Sequence, residues 1–330
     1  MPQIIIKPSN NEFIVNDNET ILDAGIRNKL NLPHGCKDGD CGACKCKILS
    51  GNVKLATYRA NILSDVEIHE GYTLLCRAYA LNDIELEIPN LLNNLSIRVL
   101  PSKVSLIERI SDTIILKLKL PSQLDFKFHA GQYIEIILKD KNRSYSIANA
   151  YGTNEIELHI KYYSGGVFSE FVLNELKIDS LLRFKGPLGN FGLRNTQNPA
   201  IFVCTGTGFA PIKALLEEMI YTNSNKQIYF YWGNQTISDF YMLEFLNNAK
   251  AKLNLSVKLC LSKEQQSGFY SGYVTDAILK DHDNLSSYEV YACGNRNMIE
   301  SIYTIATSQL NLDRINFLSD VFTPAIVPVE

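Results

Sequence analysis

The stretch that decides the fold is Gly35-Cys36-Lys37-Asp38-Gly39-Asp40-Cys41-Gly42-Ala43-Cys44-Lys45-Cys46. Three of its cysteines follow the spacing Cys-x4-Cys-x2-Cys, and a further cysteine lies well downstream. This is the plant-type ligand pattern of a [2Fe–2S] cluster, in which one thiolate arrives from a distant segment. The glycines between the cysteines suit a tight loop that needs positive φ angles and close backbone approach. The sequence therefore predicts a [2Fe–2S] cluster with four ligands: Cys36, Cys41, Cys44 and Cys76.

Three other readings of these cysteines are weaker. A structural zinc site usually pairs its ligands as two short Cys-x2-Cys units, whereas the fourth cysteine here stands alone. A disulfide framework needs an oxidising compartment, to which nothing in the sequence points. Ordinary core cysteines would not show ligand spacing among turn glycines. Cys46 falls outside the x4 and x2 spacing, and we expect it to be a small apolar residue at the start of the next strand.

The whole chain has 330 residues, which suggests two or three domains. Its 46% hydrophobic and 20% charged residues are typical of a globular protein, and a net charge of -3 counts against nucleic acid as a partner. Residues 1–7 lack the features of a signal peptide, and no apolar run approaches the length of a membrane span. We therefore expect a cytoplasmic protein without a membrane span, whose eight cysteines are reduced thiols or metal ligands.

The first 90 residues read as a small β-rich domain. Residues 3–7 and 12–15 alternate like a hairpin, and Thr20 with Asp23 resembles a capping box that opens a helix from Ile21 to about Leu30. Strands are predicted at 46–49 and 53–55, and alternation at Ile84, Leu86 and Ile88 predicts another. The Asn-rich residues 90–96 look like a linker, so the first domain is placed at 1–90.

Two further domains follow. Residues 97–195 are predicted to form an antiparallel β-barrel, since strands recur with turn residues between them at 114–120, 133–138, 144–147, 156–162 and 181–184. Residues 196–330 instead alternate short buried strands (201–204, 228–232, 257–261, 289–293) with helices (211–221, 239–250, 274–280, 297–309). This alternation predicts a parallel sheet with helices on both faces.

Two motifs in the barrel suit a flat, anionic ligand. Arg143-Ser144-Tyr145-Ser146 puts a guanidinium, an aromatic ring and hydroxyls on one strand. Gly165-Gly166-Val167-Phe168-Ser169 opens an apolar-periodic helix, which is a sound place for a pyrophosphate. Either motif alone is weak, because an Arg-x-Tyr-Ser strand is more often a solvated edge. Their order after an iron–sulfur loop makes the pair informative.

The last domain carries a third motif. Thr205-Gly206-Thr207-Gly208-Phe209-Ala210-Pro211 is neither Gly-x-Gly-x-x-Gly nor a P-loop, but it places glycines between a strand and a helix, where a dinucleotide can bind. Tyr291-Ala292-Cys293-Gly294 leaves another strand at its carboxyl end, where ligands bind in open α/β sheets.

In this order, the motifs resemble the ferredoxin–NADP reductase superfamily, in the group whose N-terminal ferredoxin domain is fused to FAD and NAD domains. The resemblance covers nearly the whole chain. It implies a multi-domain protein with a β-grasp [2Fe–2S] ferredoxin domain, an antiparallel β-barrel FAD domain and an α/β parallel-sheet NAD domain.

The resemblance also implies roles for individual residues. Tyr145, Ser146 and Cys293 should be the catalytic residues, with Tyr145 stacked on the isoalloxazine, Ser146 beside its N5 and Cys293 facing the nicotinamide. The remaining cofactor-binding residues are implied to be Arg143 and Ser144 with the FAD strand; Gly165, Gly166, Val167 and Ser169 at the pyrophosphate; Gly206, Thr207 and Gly208 at NAD; Gly294 at the nicotinamide; and Phe322 over the flavin. From the residues alone, the alternative for Cys293 is a small buried residue, and the alternative for Phe322 is an ordinary core residue.

Within that group, three stretches look most similar to the CDP-6-deoxy-glucoseen reductases: those around Cys36, from Arg143 to Ala150, and from Phe317 to Phe322. Those enzymes pass electrons to a pyridoxamine-phosphate-dependent dehydrase of 3,6-dideoxysugar synthesis. Oxygenase reductases share the architecture, so a Rieske or di-iron oxygenase is the alternative partner, and a redox-sensing flavin and cluster protein is an alternative of another class. Two departures from the family pattern are the Cys204 position, where the family usually has glycine, and the tail from Thr323 to Glu330.

The predicted reaction moves electrons from NADH to FAD, to the cluster and then to a protein partner, and it requires no side chain as an essential acid or base. NADH is favoured over NADPH because no arginine or lysine lies between Tyr231 and Asn248, and Asp239 adds negative charge there. Four acidic residues near the cluster loop could form a docking face for the partner or simply be solvated: Asp38, Asp40, Asp65 and Glu67.

Overall fold

The computed structural model describes residues 1–89, 91, 95–138 and 142–322. The chain divides into two compact units. Unit 1 comprises Met1–Ile97 with Leu188–Gly192, and unit 2 comprises Arg98–Pro187 with Leu193–Glu330. The proposed boundaries of three domains stay predictions. Most of the predicted linker at 90–96, and the whole tail at 323–330, lie outside the described residues.

Unit 1 is a mixed sheet with a helix packed on it. Its elements are β1 (Gln3–Lys7), β2 (Asn11–Ile14), α1 (Ile21–Arg27), β3 (Lys45–Ser50), β4 (Val53–Leu55), α2 (Asp65–His69), β5 (Tyr72–Leu74), β6 (Ala78–Ala80) and β7 (Ile84–Glu87). The strand order is β2-β1-β7-β3-β5, with β1 and β7 parallel, and β4 pairs with β6. Alternation in β1 buries Ile4 and Ile6 against the same core as Ile21. This is the β-grasp ferredoxin fold that the sequence predicts.

Helix α1 begins where the capping residues predict and ends earlier than expected. The Thr20 hydroxyl accepts a hydrogen bond from the backbone N–H of Asp23 at 3.1 Å. The helix ends at Arg27 because Lys29 adopts a left-handed φ of 61° and the N–H of Leu30 returns to the carbonyl of Gly25 at 2.9 Å.

A short segment from beyond the barrel strands completes unit 1. Leu188 is 5% exposed and Phe191 is 7% exposed. The side-chain amide of Asn31 donates to the carbonyl of Gly189 at 2.7 Å. Leu188–Gly192 is therefore part of the ferredoxin unit, although the reductase sequence surrounds it.

Unit 2 begins with a barrel. Its elements are β8 (Arg98–Ile110), β9 (Thr113–Lys119), β10 (Tyr133–Ile137), β11 (Arg143–Ser146), β12 (Glu155–Lys161), α3 (Val167–Asn174) and β13 (Leu181–Leu188). The strand order is β11-β10-β13-β8-β9-β12, and the paired strands β10 with β11, β8 with β13, β8 with β9, and β9 with β12 are antiparallel. A bridge between Ile147 and Leu158 joins the two edges. The strand arrangement is the predicted antiparallel barrel.

The sequence analysis missed β8, although it has thirteen residues. Pro101 argues against a central strand, and one core position of β8 is the polar Ser102. Ser102 is nevertheless buried, because its hydroxyl donates to the carbonyl of Leu182 at 3.1 Å.

The rest of unit 2 is an α/β sheet. Its elements are β14 (Ala200–Thr205), a 3-10 turn (Gly206–Gly208), α4 (Phe209–Tyr221), β15 (Ile228–Asn234), a 3-10 turn (Ile237–Asp239), α5 (Leu243–Lys252), β16 (Leu255–Leu261), β17 (Tyr270–Ser271), α6 (Val274–Asp281), β18 (Glu289–Asn295), α7 (Arg296–Ser308), a 3-10 turn (Arg314–Asn316) and β19 (Phe317–Phe322). The strand order is β17-β16-β15-β14-β18-β19, with parallel pairing throughout. This confirms the predicted parallel sheet.

The order of these strands creates a ligand-binding position. The chain leaves β14 for β15 and β16 on one side, then returns to add β18 on the other side of β14. Ligands of open α/β sheets bind at such a reversal, at the carboxyl ends of the strands. Here those ends carry Thr205–Gly208 and Gly294. None of the helices in the described ranges has both the length and the apolar character needed to cross a membrane.

Candidate functional site

The cluster loop of unit 1 brings the four predicted cysteine ligands together in two pairs. The Sγ atoms of Cys44 and Cys76 are 3.3 Å apart. In the other pair, the backbone N–H of Cys36 donates to the Sγ of Cys41 at 3.3 Å. Among the described residues, no three or more Cys, His, Asp or Glu side chains are grouped as for a single metal ion. Two pairs of thiolates suit a cluster of two irons, because each iron takes two protein ligands.

Backbone geometry in the loop explains its glycines. Gly39 and Gly42 have φ angles of 81° and 75°, which few other residues adopt. At Gly35 the reason is close approach, since a Cβ there would lie 3.0 Å from the Sγ of Cys41. The N–H of Asp40 donates to the Sγ of Cys36 at 3.3 Å, and such bonds stabilise thiolate charge.

Within each pair, the shared hydrogen bond moves the two thiol pKa values in opposite directions, and it raises the pKa of Cys36 and of Cys44. A hydrogen bond with Cys36 lowers the pKa of Cys41 to about 7, and a hydrogen bond with Cys44 lowers the pKa of Cys76. Cys46 is buried on β3, and burial raises the pKa of its thiol. The donor set therefore fits a [2Fe–2S] cluster, and Cys46 lies in the strand where the sequence predicts it.

The predicted flavin strand is β11, at one edge of the barrel sheet. Tyr145 is half-buried, and its ring lies 5.1 Å from the ring of Phe168 on α3. This contact joins the Arg143–Ser146 strand to the second predicted FAD motif. Arg143 is half-buried, and its guanidinium donates to the carbonyl of Asn142 at 3.1 Å, while Ser144 is exposed.

The glycine turn before α3 is open at Gly165 and tightly packed at Gly166, where a Cβ would lie 2.5 Å from the Oγ of Ser169. The N–H of Gly165 donates to the carboxylate of Glu170 at 2.8 Å. Gly165 has a φ of 75°, and a Cβ added there would meet nothing within 4 Å. Gly166 is the N-cap of α3 without a side-chain cap, so backbone N–H groups of its first turn remain for a ligand. Val167 is exposed, whereas Ser169 is buried and its hydroxyl bonds the backbone of Tyr163. The turn fits a pyrophosphate held by backbone groups. The contact between Ser169 and the pyrophosphate stays a prediction. In the structure, the Ser169 hydroxyl stabilises the turn through its bonds to Tyr163.

The glycine turn before α4 packs against the end of β18. A Cβ on Gly208 would lie 2.4 Å from the carbonyl oxygen of Cys293, so only glycine permits this approach. A Cβ on Gly206, by contrast, would meet nothing within 4 Å. Thr205 also ties the two segments, because its hydroxyl accepts from the N–H of Asn295 at 3.2 Å. We call Gly206–Gly208, which includes Thr207, the dinucleotide turn, after its predicted ligand. It therefore lies next to the predicted nicotinamide position at Cys293 and Gly294.

Asp320 connects β11, the predicted flavin strand, to β18, which carries the predicted nicotinamide contact, and no sequence motif pointed to it. The Ser146 hydroxyl donates to Oδ2 of Asp320 at 3.0 Å. Asp320 lies opposite Cys293 in the pairing of β18 with β19. Desolvation raises the pKa of Asp320 to about 6, although the Ser146 hydrogen bond opposes this rise. Asp320 thus bonds Ser146 through its side chain and lies beside Cys293 in the sheet, so it joins two predicted domains.

Two residues of β15 support the dinucleotide turn and were also missed as site residues. The indole N–H of Trp232 donates to the carbonyl of Gly206 at 3.2 Å, and Oδ1 of Asn234 accepts from the N–H of Gly206 at 3.2 Å. Nδ2 of Asn234 is buried and has no hydrogen-bond partner in the described structure. A buried donor beside an open glycine turn fits an anionic ligand such as a dinucleotide phosphate. The sequence signal that could have identified Asn234 is its position just after a predicted strand.

Three other residues singled out from the sequence are Phe322, Glu67 and Asp239. Phe322 is half-buried at the end of β19, and its cover on the flavin stays a prediction. Glu67 is buried and pairs with Lys45 at 2.6 Å, so it is unsuited to a solvated docking face. The carboxylate of Asp239 accepts from the backbone and hydroxyl of Thr236, which commits it to the turn after β15.

Comparison with known proteins agrees with this arrangement. Three domain families match the chain: a 2Fe-2S iron-sulfur cluster binding domain at residues 4–81, an oxidoreductase FAD-binding domain at 101–192 and an oxidoreductase NAD-binding domain at 202–304. Among solved structures, the cytochrome P450 reductase GcoB of Amycolatopsis is 25% identical with a TM-score of 0.75, covering 99% of this chain and 100% of that one.

Full-length relatives are also similar. The CDP-6-deoxy-L-threo-D-glycero-4-hexulose-3-dehydrase reductase of Yersinia pestis is 37% identical over 97% of this chain and 98% of its own length. Protein RfbI of Salmonella typhimurium is 34% identical over 97% and 96%, and the reductase component of propane 2-monooxygenase from Gordonia is 32% identical over 97% of each. With its thiol pairs, glycine turns and Ser146–Asp320–Cys293 junction, the chain belongs to the ferredoxin–NAD(P) reductase family, as an oxidoreductase with an N-terminal [2Fe–2S] domain followed by FAD- and NAD-binding domains.

Proposed function

We propose that this protein is an NADH-dependent reductase that passes electrons through FAD and a [2Fe–2S] cluster to the dehydrase of 3,6-dideoxysugar synthesis. The observation that carries the reductase reaction is the junction at Asp320. There the flavin strand, through Ser146, meets the strand that carries the predicted nicotinamide contact, Cys293. Hydride transfer needs its two cofactors in contact, and a junction between their predicted binding elements supports this reaction.

The residues of the site have simple tasks in this reaction. A flavin bound here would accept a hydride and release electrons singly, as the cluster requires. Gly206 leaves open space beside the turn, Gly208 lets the turn pack against the backbone of Cys293, and the Cys293 thiol is fully buried at the strand end. The pKa of Asp320 near 6 and its hydrogen bond to Ser146 let these two side chains hold a proton beside the flavin strand.

Direct observation of the cofactors tests the reaction. Anaerobically purified protein should show flavin and iron–sulfur absorption that bleach together when NADH is added. Flavin bleaching without an iron–sulfur signal would contradict the assignment of the four cysteines. A fully loaded protein that does not oxidise NADH in the presence of ferricyanide would contradict the enzyme and favour the redox-sensing alternative.

The coenzyme preference for NADH is part of the proposal. No lysine or arginine follows β15 directly, but the fold brings in the segment after β16, where the N–H of Lys263 donates to the carbonyl of Gln235 at 3.1 Å. Next to it, Glu264 accepts from the N–H of Ile237 at 2.9 Å. A carboxylate there favours a ribose hydroxyl over a 2′-phosphate. The ratio of kcat/KM for NADH to that for NADPH measures the preference, and a ratio below one would contradict it.

The dehydrase is proposed as partner because relatives at 37% and 34% identity include a dehydrase reductase by name and match nearly the full chain. The rival is an oxygenase component, supported by the 32% identical propane 2-monooxygenase reductase. Purified dehydrase and oxygenase components, each supplied with NADH and this protein, would separate the two. Turnover by an oxygenase without sugar deoxygenation would overturn the proposed partner.

The thiols support a proposal for the cellular location. All eight cysteines lie in the described ranges and all are free, which favours a reducing compartment. We place the protein in the cytoplasm, and fractionation of cells with an antibody to this chain tests the placement.

A further inference from the structure

A buried charge cluster lies where the barrel meets helix α4. Lys213 is 5% exposed, and its ammonium contacts the carboxylate of Glu157 on β12 at 3.1 Å. It also pairs with Glu217, one turn further along α4. Burying a lysine is costly unless it is paired and hydrogen-bonded, so these contacts must be maintained in the folded protein.

The same helix turn holds the backbone that follows the flavin strand. The Lys213 ammonium donates to the carbonyl of Ala148 at 3.1 Å, and the carboxylate of Glu217 accepts from the N–H of Ala150 at 2.9 Å. Ala148 and Ala150 lie two and four residues after Ser146, the last residue of β11. Two charged side chains of helix α4 thus form hydrogen bonds with the backbone that directly follows the flavin strand.

On the barrel side, the carboxylate of Glu157 contacts a histidine and a second lysine. Its carboxylate accepts from Nε2 of His159 at 2.9 Å, and Lys117 lies 3.3 Å from its other oxygen. Burial opposes ionisation of Glu157, but His159 and Lys213 outweigh it and lower its pKa to about 2. Because burial lowers the pKa of His159, the ring is neutral, with its proton on Nε2 and its Nδ1 accepting from the Tyr241 hydroxyl at 3.0 Å. The two carboxylates and two lysines balance in charge.

At its other end, α4 begins at the dinucleotide turn. Phe209, its first residue, stacks on Trp232 with a ring separation of 4.3 Å, and Trp232 bonds the carbonyl of Gly206. Lys213 lies four positions after Phe209, about one helical turn. A rigid turn of helix therefore links the flavin strand to the dinucleotide turn.

We propose that Lys213 and Glu217 are positioning residues for hydride transfer: by holding Ala148 and Ala150, they set the distance between the flavin strand and the nicotinamide turn. Apolar side chains could seal the same interface, but they would not select one register of helix against strand, as directed charged hydrogen bonds do. A displacement of about 1 Å between reacting groups slows a reaction up to about a hundredfold, so loss of this register should appear in the chemical step.

The test uses Lys213→Met, which keeps the length and burial of the side chain without its charge, and Glu217→Ala, a milder change at a partly exposed position. The matched control is Lys226→Met. Lys226 is likewise buried and pairs with Glu289 at 2.8 Å, but its contacts are at the opposite, amino-terminal ends of the strands. All variants are purified with their cofactors.

Amide hydrogen exchange is measured first, without NADH. Exchange at residues 147–150 should be about tenfold faster in Lys213→Met and Glu217→Ala, because each loses hydrogen bonds to this segment, and unchanged in Lys226→Met. Flavin reduction by saturating NADH, followed by stopped flow, should then slow about tenfold or more in the first two variants, with the Kd for NAD⁺ within about threefold.

Each outcome decides the proposal, which rests on the proposed NADH reaction. Unchanged exchange at 147–150 would overturn it, because the contacts would not be holding the strand. Faster exchange with an unchanged rate of flavin reduction would also overturn it and leave a purely structural role. If flavin reduction slowed equally in Lys226→Met, the cause would be a general loss of stability, and the proposal would be overturned. Failure of the wild type to oxidise NADH would refute the proposed function separately, since the exchange experiment contains no NADH.

Discussion

Asp320 offers the sharpest test of the electrostatics of the site. Desolvation raises its pKa from 3.8 to about 6. That difference corresponds to about 3 kcal/mol between the charged and neutral forms, since one pKa unit is about 1.4 kcal/mol. The residue is only half-buried, so solvent screening reduces the effect, and we expect about 1 to 2 kcal/mol at neutral pH. We therefore predict that Asp320→Asn stabilises the protein at neutral pH.

The sign depends on pH. Because the folded pKa is raised, the favourable contribution of Asp320 is complete below about pH 4 and is lost as the pH rises through about 6. Asparagine cannot ionise, yet its side-chain oxygen still accepts the hydrogen bond from Ser146. The stability gained by Asp320→Asn over the wild type should thus be near zero at about pH 4.5 and largest above about pH 7.

The assay is the unfolding midpoint of the loaded protein in urea at several pH values. Asp281→Asn is the control with opposite sign: burial disfavours its charge, but the Lys258 ammonium and the Tyr231 hydroxyl outweigh this and lower its pKa, so its replacement should destabilise at neutral pH. A midpoint of Asp320→Asn equal to or below that of the wild type above pH 7 would refute the reasoning. NADH oxidation should also lose any inflection near pH 6 in this variant.

Three further predictions concern the cofactors. Cys76→Ser should abolish the iron–sulfur absorption and lower the iron content, whereas Cys46→Ala should leave both unchanged; retention of the cluster in the first variant would contradict the ligand assignment. Gly208→Ala should weaken NAD⁺ binding about tenfold or more in a titration, because the added Cβ would lie 2.4 Å from a backbone carbonyl oxygen. The control Gly268→Ala has open space but a φ of 86°, so it should lower stability and leave NAD⁺ binding unchanged. Lys263 is a basic residue that the fold brings beside the end of β15, so Lys263→Ala should leave kcat/KM for NADH within about twofold and lower any activity with NADPH. An equal loss with both coenzymes would show that Lys263 does not contribute to coenzyme preference.

The fold was largely predictable because most of its signals are local. The cysteine spacing, the alternation of β1 and the glycines between β14 and α4 each reflect a geometry that a few neighbouring residues determine. Strand β8 was missed because Pro101 and Ser102 interrupt its apolar pattern, and only its pairing with β13 and β9 accounts for them.

The site was predictable only in part, for a physical reason. Ser146 and Cys293 could be named from their motifs, but their connection through Asp320 depends on contacts 174 residues apart in the chain. Likewise, an absence of lysine after β15 says little about the neighbouring strand, from which Lys263 reaches the same edge of the sheet. Contacts between residues far apart in the chain produce no recognisable spacing pattern in the sequence.

The membership of Leu188–Gly192 in unit 1 limits how this protein can be cut. A fragment ending near Ile97 would lack the segment Leu188–Gly192 of unit 1 and the Gly189 carbonyl that Asn31 bonds. A reductase fragment starting near Arg98 would instead carry Leu188 and Phe191, both buried in the intact chain, without the unit to which they belong. Separate expression of the two halves should therefore yield aggregation-prone pieces, and a genetic fusion that supplies residues 188–192 to the ferredoxin half is the rational way to isolate it.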